Sequence, residues 1–317
     1  MRILYLPNAY SQQRQREKKA NIYPVRMAME SEFYRNQGHE VHWEYAIGRY
    51  DKIISEPENL PFLTLPRPDR VFTRAKEYTS GNYKYLPGTH ILSASGCWHG
   101  KCSFCVENGQ PYEVRPVEDV ISEIEECKKL GYKELFDDSA TFPTGRWLDE
   151  FIKAYRDIRN IVFSCNTRIT NEYPFRDMFN VGFRMLLFGV ESYNQATLDK
   201  IKKGVKIEDI IPTIKKASEA GLEPHICVIF GHPNETDKDA INTLKLVHYL
   251  LRKGYAKTAQ ASFYCVKKEK GNEAHKKYIK KIFNVGFQPS FWFHQLKDIR
   301  NMDDIKYIWR GIKEAFR

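Results

Sequence analysis

The sequence lacks a long hydrophobic run and a secretory leader. None of its apolar stretches approaches the ~20 residues that a membrane-spanning helix needs. Its start, MRILYLPNAY, has neither the apolar core nor the small-residue cleavage site of a signal peptide. We therefore expect a cytoplasmic protein with no membrane partner. In that reducing compartment the cysteines are expected to be metal ligands or buried thiols rather than disulfides.

Acidic residues are the minority among the charged ones. The chain has 50 Lys and Arg against 40 Asp and Glu, which gives a formal net charge of +10. This excess permits an anionic substrate such as RNA or an acidic peptide, although no recognisable nucleic-acid-binding module and no internal repeat is present. Basic residues concentrate at positions 14–19 and 267–281. The second run alternates with glutamates, so a solvated surface is the alternative.

Three cysteines lie close together in the run CWHGKCSFC. Cys97, Cys102 and Cys105 are separated by four and then by two residues, and no fourth cysteine is nearby. Three thiolates cannot complete an ordinary four-cysteine zinc or cluster site. On a [4Fe–4S] cluster they would leave one iron free for another ligand. Two alternatives stay open: a structural zinc site that also uses His99, and three merely buried thiols.

The order of the apolar runs predicts the fold class. Residues 1–50 indicate a strand, a helix and a strand, followed by a proline-rich connector. From residue 88 onward, six nearly continuous apolar strands alternate with amphipathic helices, as in a parallel sheet that is covered on both faces. We predict an α/β protein with a partial (β/α)6 barrel, which is three quarters of an eight-unit barrel.

This pattern also divides the chain into three parts. Residues 1–87 would form a short α/β extension, residues 88–265 the barrel, and residues 266–317 a helical segment. The last helix, predicted near residues 303–316, carries an apolar stripe that should pack Trp309 against the barrel.

Polar residues follow every predicted strand of the barrel. After the cysteine loop they are Asp137, Asp138 and Ser139; Asn166, Thr167 and Arg168; Glu191 and Ser192; Gly231, His232, Asn234 and Glu235; and Cys265. Because the carboxyl ends of parallel strands meet at one edge of a barrel, we expect these residues to surround a polar, zwitterionic ligand near the cysteines.

Each of these residues also has a structural interpretation. Asp137 and Asp138 could cap a helix, and Arg168 could form a structural ion pair with Glu191.

The remaining cysteines need separate treatment. Cys165 and Cys227 lie inside predicted strands and should be small buried hydrophobes. Cys265 ends the sixth predicted strand, where its thiol could either pack under the C-terminal helices or relay a hydrogen atom during catalysis.

With these residues laid out, the chain resembles the radical S-adenosylmethionine (radical SAM) superfamily from about residue 88 to 265. It is most similar to the branch whose members carry an N-terminal cobalamin-binding domain. The likeness rests on five segments in their usual order: SGCWHGKCSFCVE, ELFDDSATF, NTRIT, FGVESYNQATLDKIKKG and AGLEPHICVIFGHPNET.

The resemblance implies a role for each motif residue. Cys97, Cys102 and Cys105 would bind a [4Fe–4S] cluster, whose open iron would take the methionine part of SAM. Phe104 would lie beside the adenine. The other implied cofactor contacts are Asp138 and Ser139 for the amino group, Arg168, Glu191 and Ser192 for the carboxylate and ribose, and Val228, Phe230 and Gly231 for the adenine.

Two departures from the family pattern matter. The usual spacing is three residues and then two, whereas four separate Cys97 from Cys102. The N-terminal region looks like a remnant of the cobalamin domain and contains no Asp-x-His-x-x-Gly segment, so we expect no cobalamin.

The resemblance thus implies a radical SAM enzyme that takes electrons from a flavodoxin or ferredoxin and acts on an unknown substrate. Methyl transfer, peptide modification and RNA modification are all open. The alternatives are an iron–sulfur or zinc protein without SAM chemistry, and a catalytically silent binding subunit.

Overall fold

The structure is a computed structural model. It describes residues 1–6, 22–44, 49–58, 60–78, 82–158, 160–265, 271–297 and 299–315; for residues 287 and 312–315 it describes the backbone alone. The basic residues at positions 14–19 and 267–270 lie outside the described residues, as does Phe316 of the apolar stripe.

The N-terminal part forms a small parallel sheet. Its elements are β1 (Arg2–Tyr5), α1 (Val25–Asn36), β2 (Glu40–Trp43) and β3 (Lys52–Ile54), and the strand order is β2-β1-β3. This arrangement matches the predicted strand, helix and strand. Helix α1 follows Pro24, whose fixed φ suits a helix start.

Eight further strands follow. They are β4 (Gly88–Ile91), β5 (Ala94–Ser95), β6 (Glu113–Val114), β7 (Glu134–Asp137), β8 (Val162–Arg168), β9 (Phe183–Glu191), β10 (Glu223–Phe230) and β11 (Thr258–Phe263). All except β5 and β6 form one parallel sheet in the order β11-β10-β9-β8-β7-β4. The strands of this sheet that are consecutive in the sequence are therefore also neighbours in the sheet. This curled sheet confirms the predicted partial (β/α)6 barrel.

Helices connect and flank these strands. They are α2 (Val117–Lys129), α3 (Arg146–Tyr155), α4 (Phe175–Val181), α5 (Gln195–Lys200), α6 (Ile207–Glu219), α7 (Asp237–Arg252), α8 (Lys276–Lys281), α9 (Pro289–Lys297) and α10 (Met302–Ala315). None of the helices in the described parts of the chain combines the length and the apolar character that crossing a membrane requires.

The core lies between the sheet and its helices. Aromatic rings of α3, β8 and β9 pack edge to face there, for example Phe151, Phe163 and Phe183. Along β10, Ile226, Val228 and Phe230 are buried, whereas the intervening Cys227 and Ile229 are only half-buried. Since successive side chains of a strand point to opposite faces, Cys227 lies on the face that the helices leave open.

Three elements differ from a regular strand–helix repeat. Strand β4 ends at Ile91, and β5 pairs with β6 in an antiparallel ladder that brings the two ends of the cysteine loop together. The chain between β9 and β10 forms two helices, α5 and α6. Strand β11 ends at Phe263, so Cys265 lies beyond the strand rather than at its end.

The prediction that Trp309 packs into the core is wrong. Helix α10 instead attaches through polar groups: Arg310 donates to the carbonyl oxygen of Tyr83 at 2.8 Å, and Asp304 pairs with Lys84. Trp309 is 58% exposed. The spacing of apolar residues located the helix correctly but not the face that it presents to the barrel.

A buried charge cluster joins the connector to the barrel. Glu123 of α2 accepts from Arg70 at 2.6 Å and from Arg115 at 2.5 Å, and all three residues are buried. Burial would raise the pKa of Glu123, but the two guanidinium groups outweigh burial and hold it below its usual range. The connector between the N-terminal sheet and β4 is therefore bound to α2 by charge.

We expect Glu123→Ala to lower the free energy of unfolding by about 3–5 kcal/mol, because it removes the carboxylate that pairs with the buried Arg70 and leaves Arg115 with Asp119. Urea denaturation measures the loss. Glu126→Ala on the same helix is the control, since Glu126 forms a half-exposed ion pair with Arg67 at 3.5 Å and its removal should cost at most about 1 kcal/mol. Equal losses in the two variants would contradict the prediction.

Candidate active site

The cysteine loop lies across the carboxyl ends of the barrel strands. Cys97 Sγ is 3.1 Å from Thr141 Oγ1, just after β7. The backbone N–H of Ser103 donates to the carbonyl oxygen of Ile201 at 3.0 Å, in the segment after α5. The ring of Phe104 meets the edge of His232, after β10. The loop therefore covers the edge at which the strand-end residues were expected to meet.

The three thiols of the loop lie near one another. Burial raises the pKa of Cys105, and the charges of Cys102 and Cys97 raise it further. Nowhere in the described residues do three His, Cys, Asp or Glu side chains stand as a ready-made site for a metal ion. A [4Fe–4S] cluster fits three such thiols because each binds a different iron atom.

The zinc alternative fits less well. It requires His99 as the fourth ligand, but His99 Nε2 donates to the carbonyl oxygen of Lys202 at 2.8 Å. The ring also lies against Gly204, where an added Cβ would come within 2.8 Å of His99 Cε1. His99 thus fastens the loop to the segment between α5 and α6.

Arg168 does not form the ion pair with Glu191 that the sequence suggested. It ends β8 and is buried, and its Nη1 donates to Cys102 Sγ at 3.8 Å. Its Nη2 donates to the carbonyl oxygen of Lys203, and the ring of Trp98 lies 5.3 Å from its Cζ. Arg168 therefore belongs to the surroundings of the cysteines.

The partner of Glu191 is Lys203. Lys203 Nζ donates to Glu191 Oε1 at 2.7 Å, and both residues are buried. The pair lies over Gly189 of β9, where an added Cβ would come within 2.6 Å of Glu191 Oε1 and 2.9 Å of Lys203 Nζ. Glu191 also has a left-handed backbone, with φ of 66°. A non-glycine residue in that region is uncommon and is often found at functional sites.

The residues after β7 divide into structural and accessible groups. Asp137 is buried and accepts from the backbone N–H groups of Ser93 at 2.9 Å and Ser139 at 3.0 Å. Ser139 Oγ accepts from the backbone N–H of Ala94 at 2.8 Å. Asp138 is exposed. Helix α3 is preceded by Gly145, so the suggestion that an aspartate here caps a helix is wrong.

The end of β10 is built from buried groups. Burial lowers the pKa of His232 to about 4, so its ring is neutral near pH 7. At the neighbouring end of β9, Ser192 Oγ is buried and has no hydrogen-bond partner within the described parts of the chain. Glu235 accepts from the backbone N–H of Gly231 at 2.7 Å and from His275 at 2.8 Å, which holds the segment before α8 against this strand end.

The other cysteines differ from the expectation in two places. Cys165 is buried as predicted. Cys227 is half-buried, and the Glu191 and Lys203 charges both act on its thiol, whose pKa is raised chiefly by burial. Cys265 is exposed, so the interpretation that it packs under the C-terminal helices is wrong. Its hydrogen-relay role stays a prediction.

Sequence reasoning missed three residues of the site. Lys203 is in the segment FGVESYNQATLDKIKKG, but it follows a helix rather than a strand, and the topology of a parallel barrel predicts functional residues only at strand ends. Thr141 lies two residues beyond Ser139, the last residue predicted for the end of β7. Tyr112 is near Cys97 and Asp137, whose charges act with burial to raise its pKa to about 12; no motif pointed to it.

Sequence comparison with known proteins identifies the family of this chain. Residues 91–247 match the sequence profile of the Radical SAM superfamily. An uncharacterized methyltransferase from Pyrococcus horikoshii is 27% identical over 52% of this chain and 38% of the relative. A tRNA-2-methylthio-N(6)-dimethylallyladenosine synthase from a Shewanella species is 28% identical over 61% of this chain and 42% of the relative. The chain spans about half the length, or less, of such curated relatives.

A solved structure shows the same fold. OxsB, a cobalamin-dependent S-adenosylmethionine radical enzyme solved with aqua-cobalamin bound, aligns with a TM-score of 0.51 at 14% identity. The alignment covers 90% of this chain and 43% of OxsB. The matched profile includes the cysteine loop and the strand ends from β7 to β10. Through residues 91–247, this chain belongs to the radical SAM superfamily of enzymes.

Proposed function

We propose that this chain holds a [4Fe–4S] cluster on Cys97, Cys102 and Cys105, binds SAM beside it and cleaves SAM reductively to a 5′-deoxyadenosyl radical that modifies a substrate. The observation that carries the proposal is that the cysteine loop and a buried Glu191–Lys203 ion pair lie at one edge of a parallel sheet, where Arg168 contacts both Cys102 and the Lys203 carbonyl oxygen. An iron–sulfur or zinc protein without SAM chemistry has no need of that pair. A silent binding subunit would keep the site without the cleavage.

The ion pair is complementary to the methionine part of SAM. A free amino acid presents an ammonium and a carboxylate, and the Lys203 amine and the Glu191 carboxylate offer the opposite charges. Charge-assisted hydrogen bonds of this kind are the strong ones. Asp138, exposed beside the loop, is proposed for the ammonium group, and Ser192 Oγ for a ribose hydroxyl.

The adenine is proposed to lie against Phe104. Val228 and Phe230 are buried on the helix-covered face, so they would border the ring through their backbone, together with Gly231. Ser139 would act indirectly, since its hydroxyl is bound to the backbone of Ala94.

When bound, the cluster supplies the low-potential electron that breaks a carbon–sulfur bond of SAM. The contribution of the chain is to fix SAM and to exclude water. The open face of the curled sheet, on which Gly189 and Cys227 lie, encloses the space in which a radical would meet its substrate. A cytoplasmic flavodoxin or ferredoxin is the proposed reductant.

For the substrate we favour RNA over an acidic peptide. The net charge of +10 suits either, but a matched relative is named for a modified tRNA nucleoside. Methyl or methylthio transfer is the proposed outcome, because the names of the matched relatives include a methyltransferase and that synthase.

Anaerobic reconstitution should load about four irons per chain and give broad absorption near ~400 nm. Alanine at Cys97, Cys102 or Cys105 should abolish both, because each thiolate holds one iron. Cys165→Ala is the matched control, since it removes a buried thiol from β8 that is not proposed as a ligand. Stoichiometric zinc with no uptake of iron would contradict the cluster.

Lys203→Met should weaken SAM binding about ten- to a hundred-fold, which corresponds to the loss of one charge-assisted hydrogen bond worth ~1.5–3 kcal/mol. Glu191→Gln should weaken it similarly. Equilibrium binding to the reconstituted protein measures the affinity, and formation of 5′-deoxyadenosine with dithionite measures cleavage. Lys202→Met is the control because its side chain is exposed. Wild-type affinity in both site variants would show that the ion pair is structural.

We also propose that this chain does not retain cobalamin. His39 and His42 are the two histidines among residues 1–87; His39 packs on Tyr34, and His42 Nε2 bonds to Glu40 at 2.9 Å. Neither lies in an Asp-x-His-x-x-Gly segment that would supply a lower ligand. Titration with aquacobalamin followed by gel filtration should leave the protein without cobalt, whereas stoichiometric retention would show that this chain binds the cofactor.

A further inference from the structure

Arg168 is a buried cation with no carboxylate to balance its charge. It is 5% exposed, and among the residues that the structure describes no Asp or Glu side chain pairs with it. The expected partner, Glu191, is taken by Lys203 at 2.7 Å. A buried guanidinium without a counter-charge is costly. An anion is therefore expected beside Arg168 in the working protein.

The contacts of Arg168 show where that anion would be. Its Nη1 donates to Cys102 Sγ at 3.8 Å, a distance suited to a sulfur acceptor. The carbonyl oxygen of Lys203 and the ring of Trp98 fix the rest of the guanidinium. The head group is thus held in place with one nitrogen directed at a proposed cluster ligand.

We infer that Arg168 is a positioning residue that donates a hydrogen bond to the Cys102 thiolate of the proposed cluster and raises its reduction potential. This inference rests on the proposed function, and it removes Arg168 from the contacts of the SAM carboxylate. The two buried cations then have separate tasks: Arg168 serves the cluster and Lys203 serves SAM.

The direction of the effect follows from charge. Reduction adds an electron to the cluster, and a positive charge or a hydrogen bond at a ligating sulfur stabilises the reduced state. Removal of the guanidinium should therefore make the cluster harder to reduce, even in the absence of SAM. A residue that only binds the carboxylate of SAM would not change the potential of SAM-free protein.

The test compares the reconstituted wild-type protein with Arg168→Met and Arg168→Lys, without SAM, in a redox titration followed by the electron paramagnetic resonance signal of the reduced cluster. Arg168→Met should lower the ratio of reduced to oxidised cluster at a fixed potential roughly tenfold, equivalent to about 59 mV for a one-electron couple. Arg168→Lys keeps the positive charge but not the two donor nitrogens of the planar guanidinium, so the shift in the reduction potential should be smaller. Lys202→Met, which removes an exposed cation from the adjoining segment, should titrate like the wild type.

Two results would overturn the inference. One is an unchanged potential in an Arg168→Met protein with full iron content. The other is a loss of SAM affinity in that variant while the SAM-free potential stays at the wild-type value. If Arg168→Met takes up no iron, Arg168→Lys decides by the same measurement, and an unchanged potential again counts against the inference. Failure of the wild type to form a cluster would instead contradict the proposed function itself.

Discussion

Charge balance at the carboxyl edge of the main sheet constrains the site more than any other feature. Arg168 and Lys203 are both buried there, but Glu191 supplies a carboxylate to Lys203 alone. A buried charge without a partner is tolerated only where another anion completes the site. The nearest polar side-chain contact of Arg168 is the Cys102 thiol, so the anion that would complete the proposed site is expected at the cysteine loop.

Local backbone choices make this charge arrangement possible. Gly189 has no side chain, which leaves room for the Glu191–Lys203 pair above β9, and the left-handed backbone of Glu191 follows directly at the strand end. Gly204, also left-handed, accommodates His99 of the cysteine loop. The same short segment between α5 and α6 therefore supplies the ammonium of Lys203, three carbonyl acceptors and the surface against which the cysteine loop rests.

The sequence was sufficient for the barrel and the cysteine loop, because continuous apolar runs predict parallel strands and parallel strands place their carboxyl ends together. The sequence was not sufficient to predict which charged side chains pair with each other. Lys203 and Arg168 are both cations at the same edge, and only their three-dimensional placement shows which one meets Glu191. The prediction for Trp309 was wrong for a similar reason. An apolar stripe predicts that a helix packs through its apolar face, but α10 is held through Asp304 and Arg310. The periodicity of apolar residues carries no information about ion pairs.

The two ends of the sheet use charge in opposite ways. At the amino end, Glu134 and Glu223 accept from Arg184, and Lys84 joins Glu223 to Asp304 of α10. Each of these five charges has a partner of opposite sign, so ion pairs hold the strands and α10 together at this end. At the carboxyl end, the described residues give Arg168 no carboxylate partner, whereas Lys203 pairs with the carboxylate of Glu191. Parallel barrels generally place stability at the first end and chemistry at the second. Here the distribution of ion pairs favours the carboxyl end as the place of the proposed site, independently of the cysteine motif.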